Sequence, residues 1–135
     1  MKIVLNTKVL LAALFFGGYP RQIVEAVVEG RVAAYATREI VEEYEAVIAK
    51  MRSRKQEGLP ANLLLPFTSR LHIVEPKYEF KICRNPYDNR FASCAMAAHA
   101  LYIADDGKKI SFINAHRSIK IVNAKGFCQM LSLCA

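Results

Sequence analysis

Short β-branched runs alternate with stretches of helical periodicity along this chain, and that alternation limits the fold more than any other feature. Ile3-Val4-Leu5 reads as a buried strand. Lys8 to Phe16 is then apolar nearly all round, as in a central helix. Gly17-Gly18-Tyr19-Pro20 breaks that helix, and Ile23, Val24, Val27 and Val28 form the stripe of the next, closed by Gly30. Val32 to Ala36 is a second strand. Thr37 is placed to cap a helix whose apolar stripe is Ile40, Val41, Tyr44, Val47, Ile48 and Met51. At about 100° per residue these six share one face.

The pattern continues with a helix over Leu59 to Ser69, opening at Pro60, and a short strand at His72-Ile73-Val74. Glu75 to Arg84 is a charged connection. Asn85-Pro86-Tyr87-Asp88 is a turn and helix start, followed by a small-residue helix through Phe91, Cys94, Ala95 and Ala98. Leu101 to Ala104 and Ser118 to Val122 are the last strands, and Asn123-Ala124 opens a final helix with Phe127, Met130 and Leu131. Strands alternating with helices predict an α/β three-layer sandwich around a central, mainly parallel sheet. With 135 residues, residues 1–135 make one domain, able to bury about two thirds of its unfolded surface without disulfide or metal.

Composition removes other classes. Hydrophobic residues are 53% of the chain, too many for a disordered protein. No apolar run approaches the roughly 20 residues of a membrane span. The opening eighteen residues faintly resemble a signal peptide, but Lys8 and Asn6-Thr7 interrupt the pattern and no small-residue cleavage motif follows. The four cysteines show no CxxC or Cys/His ligand spacing, so they read as buried hydrophobes of a reducing, cytoplasmic protein rather than a zinc site.

The net charge is +7, and all of it lies after residue 50. Such a balance suits a polyanionic partner. The acids are also uneven: Asp occurs only at 88, 105 and 106. In a parallel sheet the site lies beyond the carboxyl ends of the strands. Asn6 follows the first strand, and Asp105 and Asp106 follow the fourth. Converging carboxylates repel unless a cation neutralises them or their pKa values rise. Mg²⁺ or Mn²⁺ held by such acids can activate water and stabilise phosphoryl transfer.

At these residues the chain resembles the PIN-domain family, its small toxin-like branch in particular. Met1 to Leu11 looks like the family's first strand and Asp-Thr-Asn loop, Ile40-Val41-Glu42-Glu43-Tyr44 like its second motif, and Asn85-Pro86-Tyr87-Asp88-Asn89-Arg90-Phe91 like its third, Asp-Pro-x-Asp-Asn-x-Phe. Tyr102-Ile103-Ala104-Asp105-Asp106 is similar to the fourth motif, and Ile119 to Phe127 to the closing strand and helix. The resemblance implies a Mg²⁺- or Mn²⁺-dependent ribonuclease cutting single-stranded RNA, the toxin of a toxin–antitoxin pair. It implies catalytic acids at Glu43, Asp88, Asp105 and Asp106, and metal contacts from Asn6, Glu43, Asp88 and Asp106, with Thr7, Lys8 and Asn89 beside them. It also implies a homodimer and an antitoxin protein as partners.

Two departures weaken that implied centre. Asn6 stands where the family has its first acid, and Lys8 where it has Asn. An amide oxygen can ligate a metal but brings no charge, and an ammonium nearby repels one. Lys8 is therefore expected to occupy the cation's space, pairing with Glu43 or Asp88. The alternative to an attenuated nuclease is an inactive PIN module that binds RNA or a protein. A receiver-like signalling domain would need a phosphoacceptor carboxylate after the first strand, and Asn6-Thr7 supplies none.

Plainer roles stand beside each of these. Asp88 is well placed as a helix cap, and Asp105-Asp106-Gly107 as an ordinary turn. Glu43 lies about 100° from the centre of its helix's stripe, at an edge that can face cleft or solvent. His72, His99 and His116 share no ligand spacing. Lys50 to Lys55 could line an RNA groove or simply end a helix favourably. Tyr19, Tyr87 and Phe91 could stack on bases, although Phe91 falls on a core stripe.

Overall fold

The sheet strands of the described residues all run in the same direction. In this computed structural model, which describes residues 1–54, 61–107, 110–113 and 118–134, five strands form one sheet. They are β1 (Lys2–Leu5), β2 (Ala33–Ala36), β3 (His72–Ile73), β4 (Tyr102–Ala104) and β5 (Lys120–Val122). The order across the sheet is β3-β2-β1-β4-β5. Ile3 pairs with Ala34 on one side and Tyr102 on the other, and Leu5 with Ala104. Ile3, Val4 and Leu5 of β1 are buried, so both faces of the strand are covered, as a central parallel strand requires. The expected α/β architecture is thus present, with helices flanking the sheet.

Among the described residues the α-helices between strands are α1 (Thr7–Phe15), α2 (Gly18–Val28), α3 (Arg38–Arg54), α4 (Ala61–Arg70) and α5 (Asn89–Ala98), and α6 (Ala124–Cys134) follows β5. Their starts follow local chemistry. The Thr37 hydroxyl accepts from the Ile40 N–H at 3.1 Å and caps α3. Asn123 Oδ1 accepts from the Gly126 N–H at 2.7 Å at the head of α6. Gly30 ends α2 at a positive φ of 81°, a conformation costly for a side-chain-bearing residue. The predicted start of the fourth helix at Leu59-Pro60 lies outside the described residues, as do His116 and Lys55.

Small residues let α5 approach the sheet. Ala92, Cys94, Ala95 and Ala98 are buried, and the helix packs against β1, β2 and β4. Phe91 is fully buried, as its place on the stripe predicts. The chain runs outward from β1 to β3, then crosses back to β4 on the other side of β1. That reversal makes the carboxyl ends of β1 and β4 the topological switch point, where parallel sheets open a crevice.

Candidate functional site

The end of β1 delivers two polar residues into that crevice. The backbone N–H of Asn6 donates to the Ala104 carbonyl at 3.0 Å, so Asn6 continues the β1–β4 ladder by one bond. Its side chain is buried, and Nδ2 donates to Asp105 Oδ1 at 2.7 Å. Asp105 Oδ2 accepts from the Ile110 N–H at 2.6 Å. Both oxygens of this buried carboxylate are therefore engaged by the chain itself. Asp106 is turned elsewhere: its Oδ1 accepts from the Ala124 N–H at 2.8 Å, at the first turn of α6, where a negative charge favours the helix dipole.

Glu43 arrives from α3. Its neighbour Tyr44 is buried, and the Tyr44 hydroxyl donates to the Leu5 carbonyl at 2.6 Å. This bond docks α3 over the end of β1 and sets Glu43 above Thr7. Burial pushes the Tyr44 hydroxyl pKa well up, so it stays a donor. The hydroxyls of Thr7 and Tyr87 both donate to Glu43 Oε2. Arg90 Nη1 meets Glu43 Oε1 at 3.1 Å. The Tyr87 hydroxyl is pushed up to about 12, first by burial and then by its bond to Glu43.

Arg90 is itself held in place. Its Nε donates to the Tyr87 carbonyl at 3.0 Å and lies 3.4 Å from Glu39 Oε1. Its guanidinium carbon sits 4.2 Å from the Tyr87 ring centroid, within cation–π range. Lys8 is expected from sequence to pair with Glu43 or Asp88; the guanidinium that meets Glu43 is that of Arg90. Lys8 is exposed and lines the cleft.

Asp88 occupies the floor. It is only 4% exposed, and its Oδ2 has no hydrogen-bond partner. Its pKa is raised, chiefly by burial, then by the nearby Asp105 and Glu43 carboxylates, with Arg90 opposing. The helix-cap role predicted for it is not taken: Asp88 has helical backbone angles and makes no side-chain cap bond. Asn85 caps instead, its Oδ1 accepting from the Tyr87 N–H at 3.1 Å at the head of the 3-10 turn Pro86–Asp88. Above Asp88 opens a cleft of about 380 Å³, lined by Asn6, Thr7, Lys8, Leu11, Val47, Asn85 and Tyr87.

Of the residues expected from sequence, Asn6, Thr7, Lys8 and Asp88 line one cleft, and Glu43 is held beside it through Thr7 and Tyr87. Asp105 lies beneath through Asn6. Asp106 is drawn off to α6. Asn89 is buried below, its Oδ1 accepting from the Ile82 and Cys83 N–H groups at 3.1 and 2.9 Å to fasten the incoming strap. Missed were Arg90, Asn85 and the role of Tyr87. Their only local signal was membership of the Asn85–Phe91 turn motif. Tyr19 stays away from this cleft's lining, its carbonyl accepting from Cys128 Sγ at 3.4 Å.

A divalent ion held by carboxylates needs several unengaged oxygens facing one point. Asp88 Oδ2 is such an oxygen. Glu43 is not, since a guanidinium and two hydroxyls saturate it; nor is Asp105, bonded at both oxygens. Among the described residues no group of three or more His, Cys, Asp or Glu side chains is placed to hold a metal ion. The donor set as arranged does not fit one.

A family profile described as PIN domain matches residues 2–104. An uncharacterised protein of Methanocaldococcus jannaschii, MJ1680, is 28% identical over 127 residues, covering 91% of this chain and 82% of that protein. No solved structure matches the chain significantly. No helix of the described residues is long and apolar enough to cross a membrane.

Proposed function

The chain belongs to the PIN-domain family, and from that premise we propose that it is a protein of the metal-dependent ribonuclease type whose cleavage activity is severely attenuated and whose cleft now binds single-stranded RNA. The family is one of ribonuclease type, and its members commonly use divalent metals. One observation carries the proposal: the carboxylates that would gather a metal are each engaged in other work, except Asp88.

Three features support RNA as ligand. The excess positive charge lies after residue 50, with exposed Lys8 and Arg84 close to the cleft in space or sequence. Tyr87 is 40% exposed at the cleft wall, where an aromatic edge or face can meet a base. The cleft volume is in the range of small-ligand pockets. The finer assignments, to a toxin with an antitoxin partner and to a homodimer, rest on resemblance to the toxin-like branch alone.

Fluorescence anisotropy with an end-labelled single-stranded RNA, in chelator, tests the binding half. The expected result is metal-independent binding that weakens steeply from about 50 to 200 mM salt. Lys8→Glu is expected to weaken it several-fold. No binding at the lowest salt would contradict the proposal.

A further inference from the structure

We propose that Arg90, Tyr87 and Thr7 act as an internal substitute for a divalent cation, neutralising Glu43 and tying α1, α3, the 3-10 turn and α5 together so that the fold does not depend on metal. This rests on the reading above that the cleft is no longer a metal centre. The Glu43 side chain is only 14% exposed, so its charge must be compensated within the protein. Both oxygens are engaged: Oε1 takes the Arg90 guanidinium, which also lies 3.4 Å from Glu39 Oε1, and Oε2 takes two hydroxyl donors.

The partners come from far apart. Thr7 opens α1, Glu39 and Glu43 lie on α3, Tyr87 is in the 3-10 turn, and Arg90 is on α5. Separations along the chain are 36, 44 and 47 residues for the three bonds to Glu43. A metal ion ligated by acids from several elements would make the same kind of cross-link. Tyr87 serves twice, donating its hydroxyl to Glu43 and offering its ring and carbonyl to Arg90. An incoming Mn²⁺ would have to displace three donors from Glu43 and would meet the positive charge of Arg90. The geometry therefore opposes metal entry from the same residues that replace its structural role.

The test needs no RNA, so failure of RNA binding leaves it intact and failure here leaves RNA binding intact. Thermal unfolding of the full chain is followed in EDTA and in millimolar Mn²⁺. For the unaltered protein the two midpoints are expected to agree within about 1 °C, because a ligand that does not bind the native state cannot stabilise it. Tyr87→Phe with Arg90→Gln is expected to lower the midpoint in EDTA by roughly 3–10 °C, since the largely buried Glu43 loses its counter-charge and keeps only the Thr7 hydroxyl as donor. Mn²⁺ is then expected to restore part of that loss. Tyr87→Phe alone should show the same pattern at smaller size, which covers failure of the double variant to fold. A midpoint of the unaltered protein raised several degrees by Mn²⁺ would overturn the proposal. So would variants that melt with the unaltered protein, or that lose stability with no recovery in Mn²⁺.

Discussion

Asp88 and Asn6 face the same cleft and answer opposite physical demands. Asp88 keeps a carboxylate oxygen out of water without a donor, and its raised pKa means that the folded protein takes up this proton more readily than the unfolded chain. Stability from this group is therefore fullest at low pH and is lost as pH rises through the folded value. Asp88→Asn removes the charge while keeping the shape. It is expected to stabilise the protein by about 1 kcal/mol at neutral pH, and the gain should shrink as pH falls through the folded Asp88 value. Urea unfolding across that range checks the sign. Asn6 has the reverse role, because its amide supplies the donor that one oxygen of Asp105 needs. Asn6→Asp would set a second carboxylate against Asp105. It is expected to cost roughly 2–3 kcal/mol in EDTA at neutral pH, and less in acid as the pair takes up a proton. A variant as stable as the parent at neutral pH would show that this contact contributes little.

The helix α3 carries most of what could be read in advance at the level of elements. Its stripe, its Thr37 cap and the edge position of Glu43 are all local properties. A period of 3.6 residues and a hydroxyl three residues before the N–H that it accepts are written in consecutive sequence. Thr37→Ala is expected to cost about 1 kcal/mol in unfolding experiments. The same holds for the strands, whose short apolar runs located all five to within a residue or two. The partners of Glu43 were not legible, because they depend on which elements meet after a long loop closes. Lys8 stands where the family has Asn and is expected to pair with Glu43 or Asp88, yet it is Arg90, 47 residues from Glu43, whose guanidinium reaches that carboxylate. Asp106 misled for a related reason. An acid at a strand end reads equally as a site residue or as a cap for a helix far along the chain, and here it meets Ala124, 18 residues on. Tyr44 lies between these cases. Its burial followed from the stripe, but its bond to the Leu5 carbonyl did not. Removing that hydroxyl in Tyr44→Phe is expected to cost about 1–2 kcal/mol by orphaning a buried carbonyl.

Across the whole molecule, the parallel order β3-β2-β1-β4-β5 places the crevice at the ends of β1 and β4 whatever side chains fill it. The fold is that of the PIN-domain family, and the acids around its crevice serve to hold elements together. Asp105 and Asn6 knit β1 to β4, Asp106 heads α6, and Glu43 joins α3 to the turn before α5. In the proposed reading this cleft holds a nucleic-acid strand, while among the described residues no cluster of unengaged carboxylates is placed for metal chemistry. The most direct test is to incubate the purified protein with end-labelled single-stranded RNA in Mn²⁺ and resolve the products on a denaturing gel, with Asp88→Ala beside it. The RNA is expected to remain intact in both lanes. Mn²⁺-dependent cleavage by the unaltered protein that disappears in Asp88→Ala would contradict the account.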